Sequence, residues 1–249
     1  MKNCTHTLFV PLFLLLFVGT CFAPPAQAQS VDLGADVMSR YVWRGTDFGN
    51  AAAIQPSLSF TSGGFTVGAW GSFEISPVKS DAVDEDDAEN ENDLYASYAF
   101  ETSAGTFSVN VTDFYFSNPG NEFFDYSDTG DHVIEPGLSY SGPVSLSASI
   151  NAYGRDGENE IWLEASVPFS IEDVDLSLAV GGTPNDTGDP AEEDNYYGTD
   201  ADTDAAITKF SLTASKSVGI TDSFSLPMMA SYYLNPYSER SYFIFGISL

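Results

Sequence analysis

Basic residues, cysteines and histidines are all scarce in this chain of 249 residues. Lys and Arg number 8 against 36 Asp and Glu, a formal charge of -28. Binding phosphates needs a basic footprint, so nucleic acid is excluded as a partner. Two Cys and two His leave too few groups for a thiolate zinc site or a Ser-His-Asp or Cys-His triad. There is also no apolar run of the about 20 residues that a membrane-spanning helix requires. With 43% hydrophobic and 14% aromatic residues, the chain is nonetheless too apolar for a disordered one.

The one apolar run, Leu8 to Val18, follows Lys2 and precedes Ala26-Gln27-Ala28. A charged start, a short apolar stretch and small residues at an A-x-A site form the layout of a secretory signal peptide. Residues 1–28 are therefore expected to be cleaved, leaving one domain over 29–249. A lipoprotein route through Cys21 has a poor lead-in in Val18-Gly19-Thr20. Cleavage takes both cysteines and one basic residue with it, so the mature chain carries 7 basic against 36 acidic groups and no thiol.

From Val31 onward the apolar residues recur every second position. Val31, Leu33, Ala35, Val37, Tyr41 and Trp43 share one face, and Asp32, Asp36, Arg40 and Arg44 share the other. Successive strand side chains point to opposite faces, so this is a strand with one apolar side. The pattern returns through Leu58 and Phe60, Phe65 and Val67, Leu94 and Tyr98, and so on to Phe243, Phe245, Ile247 and Leu249. Twelve strands are predicted. The opposite face is small and polar, as in Ser145, Ser147, Ser149 and Asn151.

Alternation alone also fits a soluble sandwich; the connections separate the two. Short links such as Ser62–Gly64 and Ser141–Gly142 alternate with long ones such as Pro77–Glu91 and Gly182–Asp204. An even number of strands with tight periplasmic turns and long outer loops describes a transmembrane β-barrel. Closure removes the open edges that lipid does not tolerate. The predicted fold is therefore an all-β, antiparallel up-and-down transmembrane barrel with long acidic outer loops and both termini on the turn side. Tyr41, Trp43, Phe60, Phe73, Tyr98, Phe100, Tyr140, Phe169 and Tyr232 suit interfacial girdles. Pro56 and Pro136 would each delete a ladder hydrogen bond, so each is expected at a bulge or near a strand end.

The segment from Ser39 to Ser72 carries Ser39, Tyr41, Arg44 and Gly45 as S-x-Y-x-x-R-G, then Gln55, then Gly64, Phe65, Gly68, Trp70 and Ser72. It resembles the opening of the TorF-type porin-like proteins, uncharacterised outer-membrane proteins of Gram-negative bacteria. Asp93 to Tyr98, Phe107-Ser108 and Pro119-Gly120 resemble that family too, and the likeness covers roughly residues 35–120. Ala52 stands where the family pattern has Pro. The resemblance implies an outer-membrane barrel acting as a porin, and no catalytic residue.

Two regions are candidate sites. Asp32, Asp36, Glu74, Glu101, Glu164 and Asp175, opposed by Arg40 and Lys209, are expected to face the lumen. Charges lining a pore set its ion preference, here for cations. The same groups could instead fill a narrow barrel as a hydrogen-bonded plug, with Arg40 and Arg44 pairing to Asp36 or Glu74. The second candidate is the acidic loops, residues 77–93 and 183–206. There Asp200, Asp202 and Asp204 offer alternate carboxylates to a divalent cation, without the glycine and final Glu of an EF-hand. Solvated, self-repelling loops are the plainer reading. His132, beside Asp131, reads as a surface residue at a loop border, with no Ser tied to it.

The expected function is passive diffusion of small cationic or neutral solutes across the bacterial outer membrane. The alternative is a non-conducting barrel that binds through its acidic loops. No enzyme activity and no cofactor are expected. The expected partners are outer-membrane lipid and lipopolysaccharide, divalent cations at the outer loops, and the assembly machinery through strand Tyr242–Leu249.

Overall fold

A computed structural model describes residues 29–49, 51–75, 90–117, 122–127, 130–154, 159–184, 197 and 205–249. The signal segment, most of the acidic run in 77–93, most of 183–206 with Asp200, Asp202 and Asp204, and Pro119-Gly120 lie outside the described residues.

The described residues hold fifteen strands and no helix. They are β1 (Gln29–Met38), β2 (Val42–Trp43), β3 (Thr46–Asp47), β4 (Ala53–Ser62), β5 (Phe65–Glu74), β6 (Glu91–Thr102), β7 (Gly105–Phe116) and β8 (His132–Ser141). Then come β9 (Ser145–Ile150), β10 (Tyr153–Gly154), β11 (Ile161–Ile171), β12 (Val174–Thr183), β13 (Ala206–Thr221), β14 (Phe224–Asn235) and β15 (Arg240–Ser248). Neighbours pair antiparallel from β4 round to β15, β1 pairs with both β4 and β15, and β8 pairs with β9. The sheet is closed. β9 and β10 both lie along β8 as one interrupted strand, so the wall has the twelve strands that the alternation predicts.

Closure uses a short seam. Three residue pairs, Asp36 with Ser248 to Met38 with Gly246, are extended by the reciprocal bonds between Ala35 and Leu249, 3.2 and 2.9 Å. Both prolines sit at gaps in a ladder rather than at register shifts. The β4–β5 pairing skips from Ile54 to Ser57 around Pro56 without changing register. Pro136 lies between the residues of β8 that pair with β10 and those that pair with β9.

The outward face is apolar all the way round. Val31, Leu58, Val109, Leu138, Leu178 and Phe245 are exposed large side chains on it, as are many others. An apolar belt on a closed barrel is the surface that lipid stabilises. Aromatics ring its turn end, where Phe107 stacks on Phe100 at 5.7 Å and meets Tyr140 at a tilt at 4.9 Å. Seven of the nine predicted girdle residues lie on this face; Tyr41 and Trp43 do not. Leu58, half exposed in the middle of β4 between Leu33 and Ala69, tests the belt. Leu58→Arg should cost about 2–4 kcal/mol of barrel stability, measured by denaturant titration in lipid vesicles. A cost near zero would mean that this face meets water.

The first strand ends earlier than its alternation suggests. β1 stops at Met38, and residues 39–49 leave the wall and turn into the barrel. Within them β2 and β3 form a miniature hairpin whose two turn residues, Arg44 and Gly45, have φ of 50° and 87°. Positive φ at both centres is the type I′ turn that matches strand twist. The R-G of the S-x-Y-x-x-R-G motif is therefore a turn tip, not a strand end.

Candidate functional site

The inward face below the hairpin is built of small hydroxyl side chains. Thr61 and Thr66, Ser108 and Ser139, and Thr213 and Ser231 form cross-strand pairs at 3.0, 2.6 and 2.7 Å. Eight strands already enclose a volume that ordinary side chains just fill. Twelve strands lined by serine and threonine leave room for water. Just below the hairpin, Lys209 Nζ donates to Glu164 Oε2 at 2.8 Å, with the Tyr233 ring 5.8 Å from the ammonium.

At the loop end the hairpin crosses the lumen. Its turn carbonyls are caught on one side: Thr208 Oγ1 of β13 donates to the Arg44 carbonyl at 3.0 Å, and Asn235 Nδ2 of β14 to the Gly45 carbonyl at 3.1 Å. The Arg44 guanidinium reaches the other side. It grips Glu135 of β8 bidentately, at 2.5 and 2.8 Å, and donates to Ser149 of β9 at 3.0 Å. It also donates to the Tyr197 hydroxyl at 3.1 Å. Two parallel bonds to one carboxylate fix direction as well as energy. Trp43 covers the guanidinium at 4.1 Å, with Trp162 at 5.2 Å and Tyr197 at 5.3 Å. Trp43 also packs edge-on against Phe114, part of a small apolar core with Phe116 and Val133. Tyr41 lies against Phe48 and the inward Trp70. The hairpin is thus a crossbar with hydrophobic sides and a charged end.

Arg44 holds a left-handed backbone, which costs a residue with a Cβ about 1–2 kcal/mol. Its bonds to both walls offset that strain. Burial pushes the Tyr197 hydroxyl above its ordinary value despite the lowering influence of Arg44, so it stays protonated. Burial likewise raises the Asp47 carboxyl, outweighing its ion pair with Arg40 at 2.5 Å.

The predicted lumen residues fall into several settings. Asp32 and Asp36 lie on the inward face of β1, opposite Ser59 and Gln55; Asp32 accepts from Ser30 Oγ at 3.0 Å. Glu101 and Asp175 stand near the turn end, where Asp175 accepts from Ser170 at 2.8 Å. Glu164 and Lys209 pair with each other. Glu74, at the loop end of β5, accepts from the Ala51 N–H at 3.3 Å. Arg40 is not on the wall at all; it lies in the inserted segment, bound to Asp47. Arg44 pairs with Glu135, not with Asp36 or Glu74.

Further carboxylates join them. Glu91 and Asp93, read from the sequence as part of an acidic loop, are buried on the inward face of β6, 3% and 7% exposed. With Glu135 they add three carboxyl groups to the loop end of the lumen, of which Glu135 is paired with Arg44. His132 is also not a surface residue: it is 1% exposed, on the outer wall and covered by a loop.

A family model described as "Bacterial protein of unknown function (Gcw_chp)" matches residues 23–214. No curated protein matches the chain. The fold is similar to a solved structure described as "KdgM porin", with a TM-score of 0.47 and 10% identity, covering 88% of this chain and 98% of that one. It is similar to the same degree, TM-score 0.47 and 10% identity, to one described as "Unveiling the Mechanism Behind the in-meso Crystallization of Membrane Proteins". That match covers 87% of this chain and 82% of the other. Neither similarity reaches a degree that informs function. The TorF-type resemblance of residues 35–120 agrees with the barrel but not with the family name.

Proposed function

The chain belongs to the Gcw_chp family of bacterial proteins of unknown function, and on that premise we propose that it is an outer-membrane diffusion channel. Its solutes are small and cationic or neutral, and its own first outer loop, residues 39–49, narrows the entrance. The observation that carries this reading is the character of the inward face. A bore of serine and threonine hydroxyls can exchange hydrogen bonds with any hydrated solute, while the excess of acidic over basic side chains on the inward face repels anions. Arg44 and Lys209 are neutralised by Glu135 and Glu164, which leaves the inward Asp32, Asp36, Glu74 and Glu101 to set a negative field.

In this reading residues 1–28 are the export signal. The outward row Phe243, Phe245, Ile247 and Leu249 is the end of the chain that the assembly machinery reads. Lipid and lipopolysaccharide surround the belt, and divalent cations screen the acidic outer loops.

Vesicle swelling tests the channel. Vesicles carrying folded protein of residues 29–249 should swell in isosmotic neutral solutes, faster for smaller ones, and faster for cationic than for anionic amino acids of one size. Swelling that favours anions would overturn the charge assignment. No swelling with protein shown to be folded would favour the alternative, a barrel stoppered by its hairpin that binds through its acidic loops.

A further inference from the structure

Three polar or aromatic side chains, Asp113, Tyr115 and His132, stand on the outer wall at the loop end of β7 and β8. They share the alternation of the outward Val109, Val111 and Leu138. An Asp and a His facing lipid directly would be expensive. Residues 122–127 remove that cost by folding over them. The His132 ring lies between the rings of Tyr126, stacked at 3.9 Å, and Tyr115, stacked at 4.6 Å. Its Nδ1 is 2.8 Å from Asp113 Oδ1 and its Nε2 2.7 Å from the Phe123 carbonyl oxygen. Both ring nitrogens therefore face acceptor oxygens. Tyr126 donates its hydroxyl to Asp113 Oδ2 at 2.8 Å, and Tyr153 of β10 donates to the Tyr126 carbonyl. Burial and the Asp113 carboxylate push the Tyr126 hydroxyl up to about 12, so it remains a donor.

The flap is clasped by Asp113, Tyr115, His132 and Tyr153, and what it turns outward is aromatic. Phe124 is 88% exposed, the most exposed large apolar side chain among the described residues. Phe123, Tyr126 and Tyr153 are each about two-fifths exposed beside it, and Tyr153 pairs with Ile134 of the apolar belt. A phenyl ring so placed would gain by moving into an apolar phase. Ser127 hydrogen bonds hold the neighbouring Asp125 carboxyl below its ordinary value, so it stays charged. A polar-tipped aromatic patch continuous with a lipid-facing belt is the pattern of an interfacial anchor.

We infer that residues 122–127 are a membrane-interface anchor, with Phe124 seated among the outer-leaflet lipids at the boundary of headgroups and acyl chains and the His132–Asp113 pair as the clasp that holds it there. This rests on the outward face meeting lipid. The chain's tryptophans, Trp43, Trp70 and Trp162, all face the lumen, so a tryptophan added outside reports on its own surroundings. Phe124→Trp in vesicles should gain a blue-shifted emission quenched by lipids brominated near the headgroup end of the chain. His132→Ala in that background should lose the quenching as the flap is released, with the barrel still folded by its heat-modifiable mobility. Phe124→Trp emission that is quenched by aqueous acrylamide and by no brominated lipid would overturn the anchor. Leu58→Trp, in mid-belt, separates the two failures. If it is quenched by lipid and Phe124→Trp is not, the anchor alone fails. If neither is quenched, the lipid-facing belt fails with it.

Discussion

Replacing Glu135 with Ala should destabilise the barrel by about 3–5 kcal/mol, because it strands a buried guanidinium without its counter-charge. Arg44 is 13% and Glu135 4% exposed at the side chain, so water screens the pair little. The neutral partners that remain, Ser149 and Tyr197, cannot replace a bidentate carboxylate. The chain has one escape: the hairpin tip can withdraw from β8 and carry Arg44 into water. Withdrawal would limit the loss of stability but open the lumen, so unitary conductance should rise as the denaturation midpoint falls. Arg44→Ala with Glu135→Ala should recover much of the stability, since neither charge is then left alone, while keeping the higher conductance. Additive losses in the double variant, measured as a thermodynamic cycle, would show that the two residues do not act as a pair.

A second large effect is expected at a residue without charge. Gly45 has φ of 87°, and a Cβ there would lie 1.9 Å from the Thr208 carbonyl oxygen. The backbone strain alone is of order 1–3 kcal/mol, and the clash is with backbone, which cannot rotate aside. Gly45→Ala should therefore unseat the tip from β13 and reproduce the raised conductance of Glu135→Ala with the ion pair chemically intact. Gly219→Ala is the control, since a Cβ there meets only Ser225 Oγ, at 4.0 Å; its effect on conductance should be nil. If Gly45→Ala conducts like the unmodified protein, the hairpin does not narrow the lumen.

The barrel was legible because its solvent outside is lipid. A belt that must be apolar on one face writes a period of two along every wall strand, and short and long connections then give the topology. The same period misleads at Tyr41 and Trp43. They continue the alternation of β1, yet the chain has left the wall at Met38 and formed a second, smaller strand pair, which also alternates. The mark of that change is the Arg44-Gly45 pair, a turn signal set among apolar residues. Glu91 and Asp93 merge in sequence with an acidic run, and only pairing with β5 and β7 shows that they belong to the wall. Arg44 and Glu135 are separated by 91 residues, and nothing local to either announces the other. His132 looked solitary for the same reason. Its partners Asp113 and Tyr126 come from a neighbouring strand and a loop that folds back.

The central claim is that this barrel conducts, and that its inserted hairpin sets how much. Residues 29–249, refolded and placed in a planar bilayer under a salt gradient, test it most directly. The account predicts stable unitary steps with a cation-selective reversal potential, larger steps for Glu135→Ala, and a potential moved toward zero by Asp36→Asn with Glu101→Gln. Protein that is folded and inserted but gives no steps, in the original chain and in Glu135→Ala alike, would contradict it.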